Sequence, residues 1–394
     1  MSQSDKDQKD IEEMHKLIQE DGELERRKQE LAKTKLLVDE KRYQNLLERD
    51  RRNEKELEDA KTINFVQMSP EQIAKLQNET DAYLIAARHN MKFMYYRNDQ
   101  GEIVDLFDGI IPLFRRNLIL IAGKTGKGKS TAVTNIIYSV INQKNPITGE
   151  RCKVLHITNE ENAGDAYNKL TCLSKGWNYT NHAKFNEEQS DIFRKAIPYW
   201  AKFVTIVDNE FSGGKSITKS LEGIKAIFDS MLERKEFPDA ITLDFYQFVS
   251  GSKVNPMLSP RQVLEALSEL LNTYKDILPC PIIVMSQIWP DSDDNGGELE
   301  NKIKGSKSIL VPSTVAIELI TDTENFRTEW KIHKNRFNGA TVGKIIKTGF
   351  DRGRFVRYDN EFKEKVERIK QRALDKQIGL GDVFDKEDKD GNKN

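Results

Sequence analysis

Apolar residues fall into three textures along the chain. Over residues 1–60 they are sparse, and Leu17, Leu24, Leu31 and Val38 recur every seven positions. The second seam of that heptad carries Asp21, Lys28 and Lys35, whereas a paired coiled coil needs both seams apolar. The pattern predicts a long, solvated helix with one apolar stripe. From Ser69, SPEQIAKLQNETDAYLIAARHNM reads as an amphipathic helix. Ser69 is its N-cap, Glu71 and Gln72 lie in its first turn, and Ile73, Leu76, Tyr83 and Leu84 share a face.

From about Leu118 to Phe355 short apolar runs alternate with helical stretches. The runs are LILIA (118–122), KVLHIT (153–158), FVTIV (203–207), AITLD (240–244), PIIVM (281–285), TVAIELI (314–320) and EWKIH (329–333). Runs that are apolar throughout and do not alternate suit strands buried on both faces. The expectation is an α/β domain over 101–358, with a mostly parallel central sheet flanked by helices. A charged helical extension (1–62) and a linker-helix region (63–100) precede it. Residues 359–394, ending DVFDKEDKDGNKN, are expected to form a polar tail, disordered in part.

Composition narrows the classes. The 394 residues carry a net charge of −1, with 37% apolar and 32% charged residues. No run of eighteen apolar residues exists, so no membrane span is expected. MSQSDKDQKD lacks a signal-peptide pattern, so a cytoplasmic location is expected. Cys152, Cys172 and Cys280 fit neither a zinc spacing nor a disulfide framework. They read as small buried hydrophobes in a reducing compartment. Near-zero net charge argues against a generally basic nucleic-acid binder, but a local basic patch remains compatible with it. Residues 1–60 hold 18 acidic and 14 basic side chains, so this stretch suits a solvated face or a partner-docking helix.

The chemistry begins at GKTGKGKST, Gly123 to Thr131, directly after LILIA. It matches G-x-x-x-x-G-K-S/T at Gly123, Gly128, Lys129 and Ser130, between a buried strand and the helix-like TAVTNIIYSVINQ. Glycines let consecutive backbone N–H groups turn inward on a polyphosphate, and the helix N-terminus adds partial positive charge. Gly123, Lys124, Thr125, Gly126, Lys127, Gly128, Lys129, Ser130 and Thr131 would therefore cradle the phosphates of ATP. Lys129 would reach the β- and γ-phosphates, and Ser130 would hold Mg²⁺. Asp244, ending AITLD on a strand expected beside the first, supplies the second Mg²⁺ ligand. ITNEEN places Glu160 and Glu161 past a strand end, and Glu160 is the choice for orienting the attacking water. PIIVM is followed by Ser286 and Gln287, and Gln287 is suited to touch the γ-phosphate.

The order of these pieces resembles the DnaB-type replicative helicases, hexameric rings on the RecA fold. ITNEENAGDAYNKL, LDFYQFV, the helix and strand ending in SQ, IKGSKSI (303–309) and HKNRFNGATVG (333–343) match that family in unbroken order over residues 100–358. The resemblance implies a RecA-like P-loop ATPase that translocates on single-stranded DNA as a homo-oligomer, with hydrolysis at subunit interfaces. It implies that Arg336 is an arginine finger for the neighbouring subunit's nucleotide, with Lys334 beside it. It also implies that the loops at 249–260 and 291–308 line the channel, so Lys253, Lys302, Lys304 and Lys307 would meet DNA phosphates. Asp291, Asp293 and Asp294 assign that contact to the second half of the later loop. Two departures stand out. Residues 1–60 are too charged to build the family's helical collar, so primase docking by the usual route is not implied. Lys304 also replaces an arginine, and VPSTVAIELI lacks the usual acidic spacing. A RecA-like recombinase or filament ATPase stays open, as does a regulatory ATPase that binds a helicase through residues 1–60. The HKNRFNG stretch favours the helicase.

Overall fold

The computed structural model describes residues 68–71, 73, 74, 76–78, 80, 91–98, 100–179, 185–208, 217–249, 251, 252, 254–290 and 297–376. The chain divides into two compact units, Met1–Asn78 and Glu79–Asn394. In the first unit the described residues from Pro70 to Asn78 are helical. The Ile73 N–H donates to the Ser69 carbonyl at 3.0 Å, so the turn starts where the sequence puts the cap. Ile73 and Leu76 of the expected apolar face are exposed. The extension over 1–60, Tyr83, Leu84 and residues 377–394 lie outside the described residues.

The second unit opens with an antiparallel hairpin, β1 (Tyr95–Arg97) and β2 (Ile103–Asp105). Then β3 (Leu118–Gly123), α1 (Lys129–Ile141), β4 (Val154–Thr158), α2 (Ala163–Lys175), α3 (Glu187–Trp200) and β5 (Val204–Val207) follow. They are succeeded by α4 (Leu221–Arg234), β6 (Ala240–Asp244), α5 (Pro260–Ile277), β7 (Ile282–Gln287) and the short α6 (Leu299–Lys302). The unit closes with β8 (Val315–Asp322), β9 (Arg327–Asn335), β10 (Ile345–Asp351), β11 (Arg354–Arg357) and α7 (Asn360–Lys376).

Nine strands form one sheet in the order β11-β10-β9-β8-β3-β7-β6-β4-β5. The pairings from β8 through β5 are parallel, and β9, β10 and β11 add an antiparallel margin. The continuous apolar runs have a direct cause. Ile119 and Ile121 of β3 enter one core with Ala132, Val133, Ile136 and Val140 of α1. Leu118, Leu120 and Ala122 enter the opposite core with Ile224 and Phe228 of α4 and Val263, Leu267 and Leu271 of α5. Successive strand residues point to opposite faces, so a strand covered on both sides can spare no polar position. Each such side chain contributes about 1.5–3 kcal/mol by leaving water. Most helices start on a side-chain cap. Asn162, Asn186, Ser220 and Ser259 each accept a first-turn N–H, and the last two sit ahead of α4 and α5.

Three expectations are revised. The strand bearing Asp244 is not beside β3, because β7 lies between them in parallel register with Leu118↔Ile282. Strands β10 and β11 were not among the expected runs. Residues 360–376 form a helix inside the stretch expected as a tail, with Phe362, Val366, Ile369 and Ala373 buried. Phe362 lies flat on the sheet at Gly349, where an added Cβ would meet its ring at 2.5 Å. Among the described residues no helix is long and apolar enough to cross a membrane.

Candidate active site

The glycine loop leaves the C-terminal end of β3 and feeds α1. Gly126 and Gly128 hold φ of +72° and +84°, which side chains with a Cβ resist. Gly128 is the N-cap of α1 and offers no side-chain cap, so the amides of that first turn lack the usual oxygen partner. Ser130 sits half-buried in the same turn. Amide dipoles and helix charge converge there, which suits an anion. The buried Lys129 ammonium donates to the carbonyls of Gly123 and Lys124 at 3.0 and 2.9 Å. Burial lowers its pKa, and the nearby charges of Asp244 and Glu160 act against that shift. The Thr321 hydroxyl at the end of β8 donates to the Lys127 carbonyl at 2.8 Å and fixes the loop from the other side.

Asp244 ends β6 with 0% exposure. Neither carboxylate oxygen has a hydrogen-bond partner. Burial pushes its pKa up to about 6, with His156 and Lys169 pulling down and the Glu161 and Glu160 charges pushing up. A buried, uncompensated carboxylate is costly. It suits a divalent cation shared with Ser130 and with phosphate oxygens, as Mg²⁺ is usually held. Among the described residues no cluster of three or more His, Cys, Asp or Glu could hold a metal alone.

The two glutamates after β4 have separated environments. Glu161 is bound by Lys169, and its Oε1 lies 3.8 Å from His156 Nε2. Burial raises its pKa, but the nearby His156 ring and the Lys169 charge outweigh that and hold it below the usual range. Its charge is committed within the fold. Glu160 is exposed, its backbone N–H reaches the Thr158 hydroxyl at 3.4 Å, and its charge is felt at Lys129.

Gln287 ends β7 level with Gly123. Gln247, within LDFYQFV and without an expected role, organises this end of the sheet. Its Oε1 accepts the Gln287 N–H at 2.9 Å. Its Nε2 donates to the Ser286 hydroxyl (2.8 Å), the Gln287 carbonyl (3.1 Å) and the Lys304 carbonyl (2.9 Å). One amide thus ties the strand end facing the glycine loop to the 303–309 segment. Its position right after the Asp244 strand was the available signal.

Lys334 and Arg336 lie at the opposite end of the sheet. The Arg336 N–H donates to the Thr314 carbonyl and the Thr314 N–H to the Leu118 carbonyl, so Arg336 is level with the start of β3. From Leu118 to Gly123 the strand rises about 16 Å, farther than any side chain reaches. Lys334 Nζ donates to the carbonyls of Leu310 and Val311 at 2.6 and 3.2 Å, and Arg336 donates to that of Val311 at 2.9 Å. Burial, then the charges of Arg336 and Lys275, push the Lys334 pKa down to about 8.

The four lysines expected on a nucleic-acid path part company. Lys253 lies outside the described residues. Lys302 is 3% exposed, with Nζ 2.7 Å from Glu318 Oε1, so it is a buried structural cation and not a surface contact. Glu318 also accepts from His333 Nε2 at 2.8 Å. Burial would raise the Glu318 pKa, yet the bonds from His333 and Lys302 keep it below the ordinary range. Lys307 is exposed and pairs with Glu300 at 2.6 Å. Lys304 presents its ammonium 5.7 Å from the Trp289 ring centroid.

Among solved structures, the chain is similar to a DnaB-like replicative helicase described with its interactions with primase. Identity is 17%, the TM-score is 0.50, and the match covers 62% of this chain and 60% of that one. The chain therefore spans about three fifths of that helicase. A second similar structure is an ATPase domain, at 17% identity and a TM-score of 0.49, covering 62% of this chain and 86% of it. No protein-family model and no curated protein matches the chain. The first likeness establishes the fold, that of a DnaB-like helicase.

Proposed function

We propose that this chain is a divergent DnaB-type ATPase that moves along single-stranded DNA as a ring of identical copies. ATP would be hydrolysed where neighbouring copies meet. The observation that carries this is the separation of Arg336 from its own glycine loop by the length of β3. A guanidinium there can serve a nucleotide only on another copy, and a fixed guanidinium stabilises charge on a transferring phosphoryl group.

The residues then take separate tasks. Loop amides and Lys129 bind the phosphates, with Lys129 exchanging two backbone carbonyls for the β- and γ-oxygens. Ser130 and Asp244 would hold Mg²⁺, which would offset phosphate charge when bound. Glu160, exposed and free of the Lys169 pair that engages Glu161, orients the water. Gln287 faces the γ-phosphate, and Gln247 relays its position to Lys304. Lys304 and Lys307 bind DNA phosphates without reading sequence.

The test is a mixing experiment. Lys129→Ala and Arg336→Ala are each expected to be inactive alone. Mixed equally, roughly a quarter of head-to-tail interfaces join the intact half of each, and turnover returns to that order. Mixtures as inactive as their parts would overturn the trans assignment. Particle mass and the response of turnover to single-stranded DNA separate ring helicase from filament or regulator. A closed ring stimulated by DNA is expected.

A further inference from the structure

Past Gln287 the chain does not leave the sheet at once. The Ile288 N–H donates to the Gly123 carbonyl at 3.2 Å, and Ile288 pairs with Ile303 in an antiparallel bridge. Both isoleucines are buried. The Trp289 N–H donates to the Lys302 carbonyl at 2.8 Å, and Lys302 is itself anchored by Glu318. The backbone of Trp289 is thus fixed on two sides, yet the residue is 49% exposed. Trp200 and Trp330 are buried with their indole N–H bonded to Thr171 and Thr348, and Trp177 packs on Phe185 and Phe193.

One exposed apolar side chain is ordinary and says nothing alone. Here the ring has a charged companion on an equally rigid support. Lys304 lies 5.7 Å from its centroid, near the outer limit of a cation–π contact. The Lys304 N–H donates to the Gln287 carbonyl, and its own carbonyl accepts from Gln247. A flat π-face beside an ammonium, both held by main-chain bonds, matches one nucleotide: base on ring, phosphate on cation.

We infer that Trp289 is a base-stacking platform for single-stranded nucleic acid, with Lys304 taking the adjoining phosphate. This rests on the proposed binding of DNA phosphates by Lys304 and Lys307 and adds an aromatic contact to it. Because the Ile288 N–H is bonded to the first glycine of the phosphate loop, the platform is joined by backbone to the nucleotide site.

The test uses the full chain and two labelled oligomers of equal length, oligo-dT and an abasic strand, read by fluorescence anisotropy at low salt. The wild type is expected to favour oligo-dT by about ten-fold, the order of one stacked base. Trp289→Ala should lose that preference while binding the abasic strand as before, and Trp289→Phe should keep most of it. If Trp289→Ala retains the full preference, the platform is refuted and the proposed function survives. Equal weakening on both strands, unrescued by Phe, would mean that Trp289 only holds the loop, which also overturns it. A wild type that binds neither strand would bring down the proposed function together with this inference.

Discussion

Asp244→Asn separates the cost of the site from its use. The wild-type carboxylate is wholly buried, unpaired, and raised from 3.8 to about 6. At 1.36 kcal/mol per unit, the shift corresponds to about 3 kcal/mol at neutral pH. Its sign follows from proton uptake. Between about pH 4 and pH 6 the folded state holds the proton that the unfolded state has lost, so this group makes the fold less stable as pH rises. The penalty is absent below that window and complete above it. Glu161 and Glu318 act oppositely, since their lowered values give stability that is lost only on acidification. The difference between variant and wild type isolates Asp244. In chelator without nucleotide at pH 7.5, Asp244→Asn is expected to melt about 5 °C above wild type. The gap should close toward pH 4.5. Mg²⁺ with a nonhydrolysable ATP analogue should stabilise wild type, through mass action on the folded state, and the variant far less. Paired thermal melts across pH measure all of this. A gap that is unchanged between pH 7.5 and 4.5, or a variant less stable at pH 7.5, would refute the account.

Two other perturbations have defined outcomes. Glu318→Ala strands the buried Lys302 ammonium and is expected to cost about 3–5 kcal/mol in a urea melt. Lys302→Met with Glu318→Leu should recover most of it, and failure to recover would show that the pair does more than neutralise charge. Deleting residues 1–60 should leave basal ATP turnover largely intact, and a truncated chain that misfolds would make that segment part of the core.

Local chemistry was legible because it is written in adjacent residues. The glycine loop needs its strand, its glycines and its helix in one stretch, and all three are contiguous from Leu118 to Ile141. Buried strands announced themselves because both faces of the sheet are covered. Strand order was harder, since nothing within AITLD records that β7 slips between it and β3. Lys302 looked like a solvated cation because its partner Glu318 lies sixteen positions away on another element. The α7 stripe of Phe362, Val366, Ile369 and Ala373 was hidden by the charges between its members. The different environments of Glu160 and Glu161 depend on Lys169, in the helix that follows.

In the proposed arrangement, the antiparallel direction of β9 gives each copy a donor end and a receiver end. Complete sites are then counted by contacts and not by chains. A pair of copies owns one working site and two idle halves. An open row always has one site fewer than its members, and only closure removes the deficit. Dilution would lower turnover per chain before any chain unfolds, so specific activity becomes a gauge of assembly.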